Sequence, residues 1–344
     1  MAPPTTTPPR PEERVTVVTI ARRAGVASST VSRALNGDTR ISLATRERIA
    51  TIAANLGYMP DALARTLSGG RSGLIGLVLG PVENPFYIAL MQEIVTQAAA
   101  RGLRLLMLHL GAGAIEEQTA QALMQYKVDG CLVTSAELSS HIVTLCGRRG
   151  VPVVMLNRVA RQSASSVACD NAEGAGRMAD FLLAEGHRRF AFVAADTVSS
   201  TALERERGFT RAIEAAGATV TRYSGGLSSW MGGFIAGQRI AALPSGQRPE
   251  AIFAVSDIMA LGAMDALRQA GLCIPDDISV AGFDDITEAA RPTYALTTMS
   301  QPLVLMVQRG LDLLLARMRD SGLPDEITLL RGVLTIRKST RNSG

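Results

Sequence analysis

A chain of 344 residues, 47% hydrophobic and 19% charged, can build a sizeable core and is too long for one ordinary domain, so two or three are expected. No run of about 18 apolar residues is free of charges or turn formers, which argues against a membrane span. Met1–Arg14 is rich in Pro and Thr and lacks an apolar stretch, so it is expected to be a disordered tail and not a secretory signal. The net charge of +4 is unevenly divided: residues 1–73 hold ten Arg against five Asp/Glu (+5), and the rest holds 25 Lys/Arg against 26 Asp/Glu (−1). Excess positive charge confined to one small module is the footprint of a phosphate-backbone binder, although a solvated basic surface has the same sign.

Val15 to Tyr58 is predicted to form three short helices. Thr16 is a good N-cap for the first, with Val17, Ile20, Ala21 and Ala24 on its apolar face. Gly25 supplies a tight turn into the second, from about Ala27 to Leu35. Ser42 caps the third, in which Ile49, Ile52, Ala53 and Leu56 share one face and Gly57 stops it. Helix, glycine turn, helix is the helix-turn-helix pattern, in which the N-terminal residues of the second helix meet base edges in the major groove. Those residues are Ser28, Ser29 and Thr30, with Arg33 one turn on. Small hydroxyl side chains allow close approach, and an arginine can donate two bonds to guanine. A capped, solvated helix start would use the same residues.

The order Val15-Thr16, Ile20-Ala21, Ala24-Gly25-Val26, Ser29 to Asn36 (STVSRALN), Thr45 to Ile49 (TRERI) and Leu56-Gly57-Tyr58 resembles the headpiece of the LacI/GalR family of bacterial repressors. The resemblance implies that Ser28, Ser29 and Arg33 contact bases, that Arg40 makes a further DNA contact, and that Thr16 and Ser42 contact phosphates. Two positions depart from the family pattern: Thr19 stands where Asp is usual, and Ala27 where a Ser cap is usual. Pro60 to Gly70 is too short for a stable isolated helix and could be a plain linker. The family's hinge helix pairs across a dimer and wedges a leucine into the minor groove, and Leu67 fills that place here.

From Leu74, strands and helices alternate. Strands are predicted at Leu74–Leu79, Leu103–Leu108, Cys131–Thr134 and Val153–Leu156, with helices near Phe86–Ala100, Glu116–Gln125 and Leu138–Arg149. A second series runs through a helix from Asn171 to Glu185, strand Phe190–Ala194, helix Leu203–Ala216, strand Thr219–Tyr223, helix Trp230–Leu243, strand Ala251–Val255, helix Ile258–Ala270 and strand Ser279–Phe283. This is βαβ wiring done twice, hence two doubly wound parallel sheets with a ligand cleft outside their strand C-termini. The strand-end loops offer Asn84, Asn157-Arg158, Asp170-Asn171, Arg205, Ser256-Asp257 and Asp284-Asp285. Carboxylates, amides and an arginine suit sugar hydroxyls or another small polar metabolite, while helix caps or a solvated charge would explain each one singly.

The family resemblance continues through Asn84-Pro85-Phe86-Tyr87, Gly186-His187-Arg188, Asp257 to Gly262 (DIMALG) and Ile278 to Asp285 (ISVAGFDD), covering about residues 15 to 340. It implies a periplasmic-binding-protein-like domain, effector contacts from Arg205 and Asp284, another near Asn157, and a C-terminal segment near Pro302–Arg319 that returns to the first lobe. The expected organisation is a tail over 1–14, an all-α headpiece over 15–59, a hinge over 60–73, and an α/β two-lobed domain over 74–340. Lobe 1 is then 74–169 with 301–329, and lobe 2 is 170–300 with 330–340. The candidate effector residues are Asn84, Phe86, Asn157, Asp170, Arg205, Asp257 and Asp284.

His109, His141 and His187 are isolated, no dinucleotide or Walker spacing follows a strand, and Cys131, Cys146, Cys169 and Cys273 lack metal-ligand spacing. No cofactor, metal or catalytic residue is expected. The sequence therefore points to a cytoplasmic homodimeric repressor of a roughly palindromic duplex, controlled by a small-molecule effector of sugar or sugar-acid type. A small-molecule binder or enzyme on the same fold is the alternative, because fold alone does not separate them.

Overall fold

The structure is a computed structural model that describes residues 15–35, 37–58, 72–80, 83–109, 121, 125–134, 146–159, 164–196 and 199–341. The tail expected over 1–14, Leu67 with most of the hinge, and most of the helices expected over 116–125 and 138–149 lie outside the described residues. The chain divides into two compact units, Met1–Ser72 and Gly73–Gly344.

The first unit holds helices α1 (Val17–Ala24), α2 (Ser28–Leu35) and α3 (Leu43–Asn55). The α1 start is a capping box, in which Thr16 Oγ1 accepts from the Thr19 amide and Thr19 Oγ1 accepts from the Thr16 amide. Thr19 thus does at the α1 terminus what a carboxylate or amide side chain does in the usual box. Gly25, at φ 65°, closes the helix in the left-handed region that a side chain would resist. Ile20, Ala21, Ala24, Val31, Ala34, Ile49 and Ala53 form a separate small core.

The second unit contains two sheets. The first comprises β1 (Leu74–Leu79), β2 (Arg104–His109), β3 (Gly130–Thr134), β4 (Val153–Leu156), β5 (Ser165–Cys169) and, from near the chain end, β11 (Ile327–Leu330). Its order is β11-β5-β4-β3-β1-β2, all parallel. The second comprises β6 (Arg189–Ala194), β7 (Thr219–Ser224), β8 (Ala251–Ala254), β9 (Ser279–Asp284), β10 (Thr297–Ser300) and β12 (Val333–Thr335). Its order is β12-β10-β9-β8-β6-β7, parallel except for the antiparallel edge pair β10–β12. The chain thus crosses between sheets after β5, after β10, and again between β11 and β12.

The connecting helices are α4 (Pro85–Ala100), α5 (Asn171–Ala184), α6 (Ser200–Ala215), α7 (Trp230–Ala241), α8 (Asp257–Gln269) and α9 (Leu303–Arg319). Parallel strands need such crossovers, and helices on the faces make the strands buried apolar runs. In β1, β3, β4, β8 and β9 nearly every residue is buried. Helix α9 lies against α4 and against β3, β4 and β5 of the first sheet, as the resemblance implied for the C-terminal segment. Helices α7 and α8 pack so closely that a methyl group on Gly233 or Gly262 would strike the facing helix backbone. Strands β5, β10, β11 and β12 were not anticipated. Two of them are built from buried hydroxyl residues: Ser165 and Ser166 in β5, Thr297 and Thr298 in β10. Ser165 Oγ accepts from the Glu326 amide and from Arg317, and Thr298 Oγ1 donates to Asp257 at 2.6 Å.

Candidate functional site

On the first unit, the N-terminal turn of α2 leaves Ser28 and Ser29 exposed and Thr30 half-buried, with Arg33 exposed one turn later. Ala27 begins the helix through its carbonyl, which accepts from the Thr30 and Val31 amides. Val31 and Ala34, on the opposite side, go into the small core, so burial fixes which face of α2 is free. Thr16 and Ser42 are exposed and cap α1 and α3, their hydroxyls accepting from the amides of Thr19 and Thr45. Both helix starts therefore present amide groups and a hydroxyl where an anion would be favoured. Arg40 is exposed in the turn before α3 and forks onto Asp38, with Nη2 2.7 Å from Oδ2 and Nε 3.0 Å from Oδ1. Of the residues singled out for nucleic-acid contact, Leu67 alone lies outside the described residues.

In the second unit, side chains from both lobes meet on the Asp284 carboxylate at the end of β9. Asn84 Nδ2 donates to Oδ2 at 2.8 Å, Gln301 Nε2 to Oδ1 at 2.7 Å, and Arg205 Nη1 lies 3.0 Å from Oδ1. Arg205, on α6, also donates through Nε to Asn171 Oδ1 (2.8 Å) and through Nη1 to the Val255 carbonyl (2.7 Å). Its guanidinium stacks on the Phe283 ring, 3.7 Å from the centroid. Asn84 works at both ends: its Oδ1 caps α4 by accepting from the Phe86 amide, while its amide reaches Asp284 of the other lobe. The sequence dictates this locally, since Asn84-Pro85 is a cap followed by a proline at the first helical position.

Asp284 and Asp285 both have positive φ, 127° and 60°. Such backbone costs about 1–3 kcal/mol per residue and persists only where its surroundings impose it. The clamp is visible: Asp257 Oδ2 accepts from the Ile286 amide at 3.0 Å, and Arg337 Nη2 reaches Asp285 at 2.7 Å. Gly282 leaves room for the Asp257 carboxylate, which any added methyl would strike. Burial and the neighbouring Asp284 charge push the Asp257 carboxyl up to about 7. Burial raises Asp284 too, against the opposing pull of Arg205, Asn84 and Gln301.

Asn84, Arg205 and Asp284 are therefore joined by direct contacts, and the other candidates have different partners. Asp257 is fully buried, with its oxygens accepting from the Thr298 hydroxyl and the Ile286 amide, and so holds the turn that carries Asp284. Asp170 caps α5 by accepting from the Glu173 amide. Phe86 is buried in the main apolar cluster, edge-on to Tyr87. Asn157 is buried at positive φ (57°), and its Oδ1 has no partner among the described residues. Gln301 and Thr134 were not singled out from the sequence: Gln301 binds Asp284, and among the described residues its Oε1, the buried Thr134 hydroxyl at the end of β3 and the Arg158 Nε have no hydrogen-bond partner. The strand-end rule could have found Thr134. Gln301 follows β10, itself unanticipated, and so had no strand end to mark it.

A three-helix unit with an exposed polar helix start and two arginines, in one chain with a two-sheet α/β unit whose charged groups join its lobes, defines a DNA-binding regulator with a ligand-sensing domain. Comparison with known proteins agrees. Residues 16–61 match the model for bacterial regulatory proteins of the lacI family, and residues 179–340 match a periplasmic binding protein-like domain. The transcriptional regulator CelR of Thermobifida fusca is 31% identical over 338 residues, 95% of this chain and 98% of that one. The ribose operon repressor of Escherichia coli K12 is 32% identical over 330 residues, 94% of this chain and 99% of that one. A crystal structure of the lac repressor dimer bound to operator and the anti-inducer ONPF has a TM-score of 0.85 at 27% identity, covering 95% of this chain and 99% of that one. The CelR–cellobiose complex has a TM-score of 0.70 at 29% identity, covering 95% and 100%. The chain belongs to the LacI family: it is an effector-controlled, DNA-binding transcription regulator and not an enzyme. No helix among the described residues is long and apolar enough to cross a membrane.

Proposed function

We propose that the chain acts in the cytoplasm as a homodimeric repressor of a roughly palindromic operator, and that a neutral or weakly acidic sugar between the lobes sets its operator affinity. The observation that carries this reading is the contact of Asn84 and Gln301 with the Arg205–Asp284 pair, which ties one lobe to the other through groups able to bind hydroxyls. Acceptor atoms on Thr134, Asn157 and Gln301 that have no partner among the described residues favour a ligand rich in hydroxyl donors, because a buried acceptor left unpaired costs about 1–3 kcal/mol. Relatives point the same way, one solved with cellobiose and one named for the ribose operon. In the headpiece, Ser28, Ser29, Thr30, Arg33 and Arg40 read base edges, Thr16 and Ser42 hold phosphates, and Leu67 wedges the minor groove.

The test is a calorimetric screen of mono- and disaccharides and sugar acids, followed by operator titrations with and without each binder. Linkage requires that a ligand changing DNA affinity has its own affinity changed by the same factor when DNA is bound. Binders that occupy the cleft and leave operator affinity untouched would sink the coupling. Replacing Arg33 by Ala should cost about 1–3 kcal/mol of discrimination at one base pair. Equal weakening on operator and random DNA would remove Arg33 from base readout.

A further inference from the structure

We propose that Asp38 is a positioning residue of the DNA-reading face, setting how selectively Arg40, and with it Arg33, reads base edges. The inference rests on the reading above that these two arginines meet DNA. The Asp38 carboxylate takes the Nε side of the Arg40 guanidinium in a double contact, Nε at 3.0 and 3.1 Å from its two oxygens and Nη2 at 2.7 Å. It also accepts from the Arg40 backbone amide at 3.0 Å, so the side chain and the turn that carries it are held by one group. Asp38 is further tied to the recognition helix, its own amide donating to the Arg33 carbonyl at 3.0 Å.

Asp38 is only 18% exposed and Arg40 is 77% exposed. The anchor is therefore sheltered while the guanidinium projects. With the Nε side engaged, the remaining hydrogens lie on the Nη1–Nη2 end, which offers the paired donors that a guanine O6/N7 edge accepts. An arginine on a flexible stem loses rotamer freedom when it binds, and one already held in place loses less. Arg40 first, and Arg33 more weakly, hold the Asp38 carboxyl down at about 2, so it carries its charge wherever DNA is bound. A fixed negative charge between two arginines also repels phosphates, which penalises sequence-independent binding. Asp38 thus works on both sides of the selectivity ratio, ordering the base-reading group and weakening attraction to DNA in general.

The experiment uses the full chain and fluorescence anisotropy on two duplexes, one selected from a randomised pool by the wild-type protein and one scrambled to the same length and composition. Asp38→Asn should tighten binding to the scrambled duplex and lower the selected-to-scrambled ratio by roughly three- to tenfold. In the Arg40→Ala background the same change should lose most of its effect on the ratio. Equal weakening on both duplexes would show that Asp38 only supports the turn and would overturn the proposal. If Arg40→Ala lowers the ratio and Asp38→Asn leaves it unchanged, the positioning role falls while the DNA-reading assignment stands. If Arg33→Ala and Arg40→Ala both leave the ratio unchanged, that assignment itself fails and takes the proposal with it. Should Asp38→Asn lose headpiece helicity, Asp38→Ser keeps an acceptor for the Arg40 amide and serves the same comparison.

Discussion

Two of the arginine–aspartate pairs among the described residues do opposite things. Arg40 and Asp38 meet at 2.7 Å with the arginine open to solvent, while Arg205 and Asp284 meet at 3.0 Å with side chains 6% and 2% exposed. A solvent-exposed pair is screened and contributes little to stability, so its value lies in where it holds a donor group. A buried pair has given up its hydration and depends on every remaining partner. Around Arg205 and Asp284 such partners are Asn171, Val255, Asn84 and Gln301. One pair presents its arginine outward; the other is a buried junction held by side chains from both lobes.

Removing one side of the junction is the sharpest way to break the comparison. Asp284→Ala should destabilise the second unit by about 3–5 kcal/mol, because it strands the buried Arg205 charge, and denaturant titration measures this. A loss comparable to an ordinary surface change would mean that water already reaches the site. Next comes Asp257, whose carboxyl rises from an ordinary 3.8 to about 7 on folding. Between these values Asp257 holds more proton in the folded chain than in the unfolded one, so its contribution to stability is fully present below about 3.8 and is lost as pH rises through about 7. Asp257→Asn should flatten that slope in melts of the second unit. An unchanged slope would place its origin elsewhere. Asn84→Ala removes a helix cap and the bond between lobes, for about 2 kcal/mol, and should alter sugar affinity as well. Asp38→Asn should leave melting of the headpiece unchanged while shifting DNA selectivity; a large stability loss would erase the distinction between the pairs.

Much of this architecture was legible because apolar runs and caps act locally. Leu74–Leu79 and Val153–Leu156 coincide with the strands expected there, and Asn84 and Ser42 cap the helices their positions announced. Strands β5 and β10 were hidden because their hydroxyl residues are satisfied by distant chain segments, Ser165 by Glu326 and Arg317, Thr297 by Ser339 and Thr340. No local pattern encodes such a partner. Asp257 and Asp284 show the same limit at the site: both are strand-end acids, and tertiary contacts alone put one into the junction and the other beneath it. Gln301 was invisible for the converse reason, since a glutamine in a loop is unremarkable until a buried carboxylate is placed against it.

The late arrival of β11 and β12 has a consequence for how the chain is made. The first sheet lacks its edge strand until residue 330 and the second until residue 335, although both sheets begin far upstream. During synthesis the three-helix headpiece, whose core closes within residues 20–53, can fold as soon as it is free. The sensing unit must wait for nearly its last residues, and a chain cut short before them would emerge with a finished DNA-reading face and no complete means of governing it.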